Sequence, residues 1–185
     1  SRGGQLKLTP QSIEGVILIE PTMHSDDRGY FIETFRQDLL EKAIGYRVNF
    51  VQDNESKSTK GVLRGLHYQS LPYTQAKLVR VIEGSVLDVA VDIRKSSPTF
   101  GQHVSLELTG QNKHQLFVPH GFAHGFVVLS DSATLTYKVD NYYAREHDRG
   151  IAFDDDQLKI NWQLSVDELQ LSDKDRDYPS LANAK

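Results

Sequence analysis

Short runs of apolar residues recur along this chain, with turn residues between them and polar residues alternating within them. A period of two is typical of half-buried β-strands, so the pattern predicts an all-β sandwich or barrel. The pairs Glu83-Gly84 and Asp131-Ser132 are typical of tight hairpin turns. The runs predict strands at residues 16–19, 30–35, 48–52, 62–69, 76–82, 85–93, 103–108, 115–118, 125–129 and 133–139.

Helical signals are few and short. They predict one helix at residues 38–44 and short helical turns at 166–169 and 173–177, the last two within a polar C-terminal tail. With 185 residues and no linker or repeat, we expect residues 1–185 to form a single domain. The chain begins Ser1-Arg2-Gly3-Gly4 without methionine, so we expect residues 1–4 to derive from cloning.

Composition excludes several partners. The chain has 21 Lys and Arg against 25 Asp and Glu, a net charge of -4, and no basic run that would bind nucleic acid. No apolar stretch approaches the roughly 20 residues of a membrane span, and the start does not resemble a signal peptide. Because cysteine is absent, disulfides, thiolate catalysis and Cys-ligated zinc are excluded, and we expect a cytoplasmic protein.

Four polar side chains share a strand face with apolar neighbours, which points them toward a common interior. They are His67, Lys77, His124 and Tyr137. A single inward histidine or tyrosine is more often a hydrogen-bonded core residue, whereas an inward lysine is rare without a charge partner or a function. Strict alternation places Arg64 on the face opposite to His67, so both reach one cavity only if Gly65 forms a bulge.

These side chains suit proton transfer next to a carbonyl group. A lysine can stabilise the enolate oxygen while a histidine base and a tyrosine acid exchange protons with carbon. A Schiff-base lysine also fits the set and stays open as an alternative. The sequence has no Gly-x-Ser-x-Gly elbow, glycine-rich phosphate loop or dinucleotide fingerprint, so hydrolase, kinase and dehydrogenase functions have no motif behind them.

A metal site is the other possibility. Pro119-x-Gly121-x-x-His124 matches the second cupin motif, in which the histidine often binds a metal. The first cupin motif would supply a second histidine and a glutamate, but the chain reads His67-Tyr68-Gln69 there. Too few ligands remain for a protein-held metal, so the sequence favours a metal-free cupin over a metal-dependent one.

Eight segments, in this order and at these spacings, resemble the dTDP-4-dehydrorhamnose 3,5-epimerase family, the metal-free cupins of dTDP-rhamnose synthesis. The resemblance runs from about residue 15 to about residue 175 and implies a double-stranded β-helix (jelly roll) with a few short helices. The segments are residues 27–31, 51–54, 62–69, 76–80, 88–94, 98–101, 121–126 and 137–143.

The resemblance implies a role for each catalytic position. His67 matches the general base, and Asp175 matches the carboxylate that orients it. Tyr137 matches the acid on the opposite face of the sugar, and Lys77 matches the group at the C4 oxygen. Asp175 rests on the resemblance alone, whereas the other three also follow from the strand pattern.

The resemblance also implies a nucleotide-sugar site. Arg64 matches a pyrophosphate contact, and Gln52 and Asn54 match nucleotide contacts. Further substrate contacts are implied at His124, Lys174 and Asp148, the last a glutamate in some relatives. Arg28, Phe31 and Glu33 match a strand that crosses to the partner subunit, which implies a homodimer with strand exchange near residues 28–33.

The implied activity is the epimerisation of dTDP-4-dehydro-6-deoxy-D-glucose at C3 and C5, giving dTDP-4-dehydro-L-rhamnose for carbohydrate, including lipopolysaccharide, synthesis. The 4-keto group acidifies both neighbouring C–H bonds, so no cofactor is expected. The rival functions are a single-centre epimerase of another dTDP-deoxysugar, a non-catalytic nucleotide-sugar-binding cupin and a metal-dependent cupin.

Overall fold

The computed structural model describes residues 6–184, so the expectation about residues 1–4 lies outside the described residues. The described part contains two short α-helices, α1 (Gln37–Ile44) and α2 (Asp173–Arg176), and 3₁₀ turns at Arg145–His147, Val166–Glu168 and Leu181–Asn183. Its strands are β1 (Leu6–Pro10), β2 (Ile17–Pro21), β3 (Met23–Asp26), β4 (Gly29–Ile32), β5 (Gln52–Thr59), β6 (Leu63–Gln69), β7 (Lys77–Glu83), β8 (Ser85–Asp92), β9 (His103–Thr109), β10 (Gln115–Val118), β11 (Phe122–Val128), β12 (Ser132–Val139) and β13 (Asp148–Gly150).

Two antiparallel sheets make up the body of the molecule. The larger has the strand order β1-β2-β10-β7-β12-β5, and the smaller has the order β13-β6-β11-β8-β9. Strands β3 and β4 form a separate hairpin. Because the strands from β5 to β13 alternate between the two sheets, apart from the neighbouring pair β8 and β9, the architecture is the predicted jelly roll.

The apolar face of each strand explains the packing of the sheets. Alternate residues of β7, β8, β11 and β12, such as Val79, Ala90, Phe126 and Leu135, fill the space between the sheets. The smaller sheet also buries its outer face, because the tail after β13 packs on it through residues such as Trp162. Both faces of β8 and β11 are therefore covered, and both strands are buried almost throughout.

The strand predicted at residues 48–52 is wrong. Residues 48–51 are irregular, and Val48 is buried against α1, where its N–H donates to the Glu41 carboxylate at 2.9 Å. The strand begins at Gln52 instead and runs through eight polar residues to Thr59. Hydrophobic periodicity could not mark this strand, because pairing with β12 holds it rather than apolar burial.

Other predicted boundaries also differ. The strand predicted at 30–35 ends at Ile32, and the one predicted at 125–129 begins three residues earlier, at Phe122. Strands β1, β3 and β13 were not predicted, since they are short and only partly buried. The helix predicted at 38–44 and the helical turn predicted at 173–177 are confirmed within one residue at either end.

Candidate active site

A cavity of about 240 Å³ lies between the two sheets, near β5 at the edge of the larger sheet and β6 next to the edge strand β13 of the smaller sheet. The expectation that four polar side chains share one interior is confirmed, because all four line this cavity. Its lining is Asn54, Glu55, Ser56, Arg64, His67, Lys77, His124, Phe126, Leu135 and Tyr137.

A bulge in β6 brings Arg64 and His67 to the same cavity. His67 pairs with His124 and Arg64 pairs with Phe126, so three residues of β6 span the same distance as two of β11. The extra residue shifts the alternation of side chains along β6. This is the bulge at Gly65 that the sequence analysis required for Arg64 and His67 to share a cavity. Gly65 has φ +140, and a Cβ there would lie 2.7 Å from the Cα of Gly125, so the close approach of the strands requires glycine.

His67 and Asp175 form a hydrogen-bonded pair at the cavity wall, with 2.8 Å between Nε2 and Oδ1. The second carboxylate oxygen accepts from the Gly65 N–H at 3.2 Å, and the Ser172 side chain caps α2 by accepting from the Asp175 N–H. Burial raises the pKa of Asp175, but these partners outweigh it and hold the pKa below its ordinary value. The ionised carboxylate therefore orients the imidazole and leaves Nδ1 to accept a proton.

Lys77 is the buried cation of the cavity, only 8% exposed. Burial lowers the pKa of its ammonium to about 8, while the charges of Asp88 and Asp148 oppose that shift. Its Nζ lies 5.6 Å from the centre of the Tyr137 ring. An ammonium in this position can stabilise a negative oxygen next to the reacting carbon atoms.

His124 pairs with a carboxylate from the neighbouring strand, Asp88, at 2.7 Å. Burial lowers the pKa of His124 more strongly than Asp88 raises it, and Lys77 lowers it further. The Asp88 side chain is fully buried, and its other oxygen, Oδ2, has no hydrogen-bond partner among the described residues. His124 is thus a neutral imidazole held in a fixed orientation beside Lys77 and His67.

Tyr137 lines the cavity from the sheet opposite to His67. Burial raises the pKa of its phenol, although a hydrogen bond with the Asn54 side chain opposes the shift. The Asn54 Oδ1 in turn accepts from the Gln52 side chain at 2.8 Å, which fixes the amide. The phenol therefore stays protonated at neutral pH and can serve as an acid on the face opposite to the base.

The matches to known proteins decide the family. The model of the dTDP-4-dehydrorhamnose 3,5-epimerase family matches residues 10–183. This chain belongs to that family. It is 56% identical to the enzyme of that name from Shigella flexneri over 88% of this chain and 89% of the relative, and 51% identical to that of Pseudomonas aeruginosa over 97% and 98%.

Solved structures agree with this assignment. The dTDP-6-deoxy-D-glucose-3,5-epimerase of Legionella pneumophila, solved in complex with dTDP-4-keto-L-rhamnose, superposes with a TM-score of 0.92 at 48% identity. The match covers 96% of this chain and 94% of that structure. The family resemblance and the jelly-roll fold expected from the sequence are therefore both confirmed.

Lys174 and Asp148, two further residues that the family resemblance singled out, lie together outside the lining of the cavity. The Lys174 ammonium binds Asp148 at 2.5 Å, which raises the lysine pKa, and the Tyr143 hydroxyl donates to the same carboxylate at 3.4 Å. The backbone N–H of Tyr143 donates to the Gln52 side chain, so this group is joined to the start of β5. Lys174 directly precedes Asp175, which places the group beside the His67–Asp175 pair.

Three residues that the family resemblance singled out, Arg28, Phe31 and Glu33, lie away from the cavity of their own chain. Arg28 and Phe31 belong to the β3–β4 hairpin, where Phe31 is 61% exposed and Arg28 pairs with Asp26 at 2.7 Å. Glu33 follows the hairpin and binds Arg36 at 3.3 Å. None of the three is part of the described cavity lining.

Sequence reasoning missed two side chains at this site. Asp88 shares its strand face with Val86 and Ala90, so an inward carboxylate could have been recognised by the same alternation that singled out Lys77. Tyr178 stacks edge to face with His67 at 5.7 Å between ring centres. It follows α2 in an irregular tail, where no periodicity exists to reveal it. Among residues 6–184, no helix has the length and apolar character needed to span a membrane.

Proposed function

We propose that this protein converts dTDP-4-dehydro-6-deoxy-D-glucose to dTDP-4-dehydro-L-rhamnose by inverting C3 and C5. The observation that carries the proposal is one cavity in which His67, paired with Asp175, and Tyr137 lie on opposite sheets with Lys77 beside them. The relatives named dTDP-4-dehydrorhamnose 3,5-epimerase support the substrate. The Legionella structure holds the expected product, which supports the direction of the reaction.

Each inversion is a pair of proton transfers. The 4-keto group acidifies the neighbouring C–H bond, His67 Nδ1 takes that proton, and the electron pair moves onto the C4 oxygen. The Lys77 ammonium stabilises this enolate, and Tyr137 gives a proton to the opposite face of the carbon. One proton leaves and one arrives, so no electrons are gained or lost. Once His67 has released its proton to water and Tyr137 has regained one from water, the same groups can serve the second carbon.

The remaining positions would hold the nucleotide. The Arg64 Nε donates to the Ser58 hydroxyl at 3.1 Å, and the two terminal nitrogens of the guanidinium suit a pyrophosphate. Gln52 and Asn54 offer amide groups to the nucleotide, and the Lys174–Asp148 pair adds polar contacts beside them. His124 would contact the sugar from the cavity wall.

The proposal includes a homodimer in which each β3–β4 hairpin completes the site of the other subunit. Two exposed aromatic side chains, Tyr30 and Phe31, are 57% and 61% exposed on this hairpin, next to the 90% exposed side chain of Arg28. An aromatic ring beside an arginine suits a base and a diphosphate. The single domain and the cytoplasmic location stay predictions from the sequence.

The test is incubation of the purified protein with dTDP-4-dehydro-6-deoxy-D-glucose, followed by NMR. We expect the L-rhamno product, with both centres inverted. A product inverted only at C3 or only at C5 would make the protein a single-centre epimerase. Binding without conversion would make it a non-catalytic nucleotide-sugar-binding cupin.

A further inference from the structure

Tyr178 is the aromatic residue closest in the tail to the proposed base. Its ring lies 5.7 Å from the His67 imidazole, centre to centre, with an interplanar angle of 80°. The tail is fixed to the body at this point, because the Ala152 N–H donates to the Pro179 carbonyl at 2.8 Å. Edge-to-face contacts of this kind hold two rings in a defined relative orientation.

The backbone opposite Tyr178 makes room for the ring. A Cβ at Gly150 of β13 would lie 2.4 Å from the Cζ and Cε2 atoms of Tyr178, so the ring packs directly on a bare backbone. Gly150 also pairs with His67 across β13 and β6. The ring is therefore wedged between the neighbouring strand and the imidazole.

The hydroxyl of Tyr178 does not account for this placement. It is buried on the side of the Asp175 carboxylate and completes no well-formed hydrogen bond with a described residue. Burial raises the pKa of Tyr178, and the carboxylates of Asp175 and Asp148 raise it further, so the phenol is neutral. What the side chain offers to the site is its ring, which covers the His67–Asp175 pair on the side of the tail.

We propose that Tyr178 is a positioning residue whose ring fixes the plane of the His67 imidazole and keeps water from the His67–Asp175 pair. This inference rests on the proposed role of His67 as the base. The charged and titratable groups around the pair are Lys174 beside Asp175 on α2, Asp148 on β13, Tyr143 in the segment after β12, and His124 on β11. None of them is replaced by removing the ring, so their contributions stay constant in the test.

The test compares Tyr178→Leu, which removes the ring, with Tyr178→Phe, which keeps it. We expect Tyr178→Leu to lower kcat about tenfold with little change in KM, because the imidazole is misoriented while nucleotide contacts remain. Tyr178→Phe should keep the wild-type kcat, since it keeps the ring that packs against the imidazole.

Leu181→Ala is the control for a loosened tail, because Leu181 is buried in the same segment and packs in the cluster beneath the smaller sheet. A kcat loss in Leu181→Ala as large as in Tyr178→Leu would overturn the inference, as would a Tyr178→Leu variant with unchanged kcat. An equal loss in Tyr178→Phe would assign the role to the hydroxyl and also overturn it. If His67→Asn retains full activity, it is the proposed base that fails, whatever Tyr178 does.

Discussion

Each polar residue of the cavity owes its chemical state to a particular neighbour. Asp175 is kept ionised by His67 and the Gly65 N–H, and Tyr137 is kept protonated by burial. Lys77 is the exception, since burial brings its pKa to about 8 and close to the working range. At the scale of single residues, the Asp175 carboxylate, the Tyr137 phenol and the Lys77 ammonium therefore respond differently to pH.

Lys77 predicts an alkaline limb in the rate. Its ammonium is charged below a pKa of about 8 and neutral above it, so stabilisation of the enolate is lost as pH rises through that value. Tyr137 adds no limb there, because its pKa lies above the ordinary 10.0. We expect kcat/KM to fall near pH 8, and Lys77→Ala to lose this limb while running about 10²–10³ slower. A flat profile from pH 7 to 10 would contradict the role of the ammonium.

An experiment on Lys77 distinguishes electrostatic from covalent catalysis. An ammonium that only stabilises the enolate forms no bond to carbon, so borohydride added during turnover should leave the protein mass unchanged. A stoichiometric adduct mapped to Lys77 by mass spectrometry would support the Schiff-base alternative instead.

Tyr137→Phe tests the division of labour between the two faces. The variant keeps the ring and the base but loses the proton donor. We expect C–H hydrogen of the substrate to exchange with solvent deuterium while little inverted product forms, as followed by NMR. Inversion of both centres at the wild-type rate would show that another group is the acid.

At the scale of elements, the bulge in β6 decides which side chains meet. Alternation along the strand separates Arg64 from His67, and only the extra residue at Gly65 returns both to the cavity. A glycine in an apolar strand indicates a bulge or a close approach but does not fix its register. The sequence therefore shows that a shared cavity requires a bulge at Gly65, but only the pairing of β6 with β11 shows that the bulge is present.

Gly65→Ala tests the bulge, with Gly29→Ala as its matched control. The two glycines have nearly equal φ values, +140 and +138, but an added Cβ meets the Gly125 backbone only at Gly65 and nothing within 4 Å at Gly29. Both variants carry the backbone strain of roughly 1–3 kcal/mol. We expect Gly65→Ala to lose more unfolding free energy in denaturant titrations and most of its activity. Equal losses in the two variants would show that the close approach does not matter.

Elements without hydrophobic periodicity were the ones that sequence could not place. Lys77 and Tyr137 stand out because their strands alternate with apolar residues, and both reach the cavity as expected. Strand β5 is polar throughout, so the apolar pattern predicts a strand that ends at Gln52, whereas β5 begins there. Asp175 lies in a four-residue helix more than a hundred residues from His67. Local pattern carries no information about such a long-range pair, and only the family resemblance pointed to it.

At the scale of the whole molecule, the exposed hairpin predicts shared sites between subunits. Tagged chains carrying Arg28→Ala with Phe31→Ala can be co-expressed with chains carrying His67→Asn. If hairpins exchange, each mixed dimer contains one site with an intact base and an intact hairpin, so roughly a quarter of all sites should recover after random pairing. The homodimer of either variant alone should have less activity than the co-expressed mixture. Absence of recovery in isolated mixed dimers, checked by steady-state assay, would contradict the exchange.

The central claim is that one cavity holds a single base for both carbon atoms. The most direct measurement follows deuterium incorporation from heavy water at C3 and at C5 of the substrate by NMR, in the wild-type protein and in His67→Asn. We expect the wild type to exchange both positions and His67→Asn to lose both together, by at least about 10²–10⁴-fold. Exchange retained at either carbon in His67→Asn would mean that a second base exists and would contradict the account.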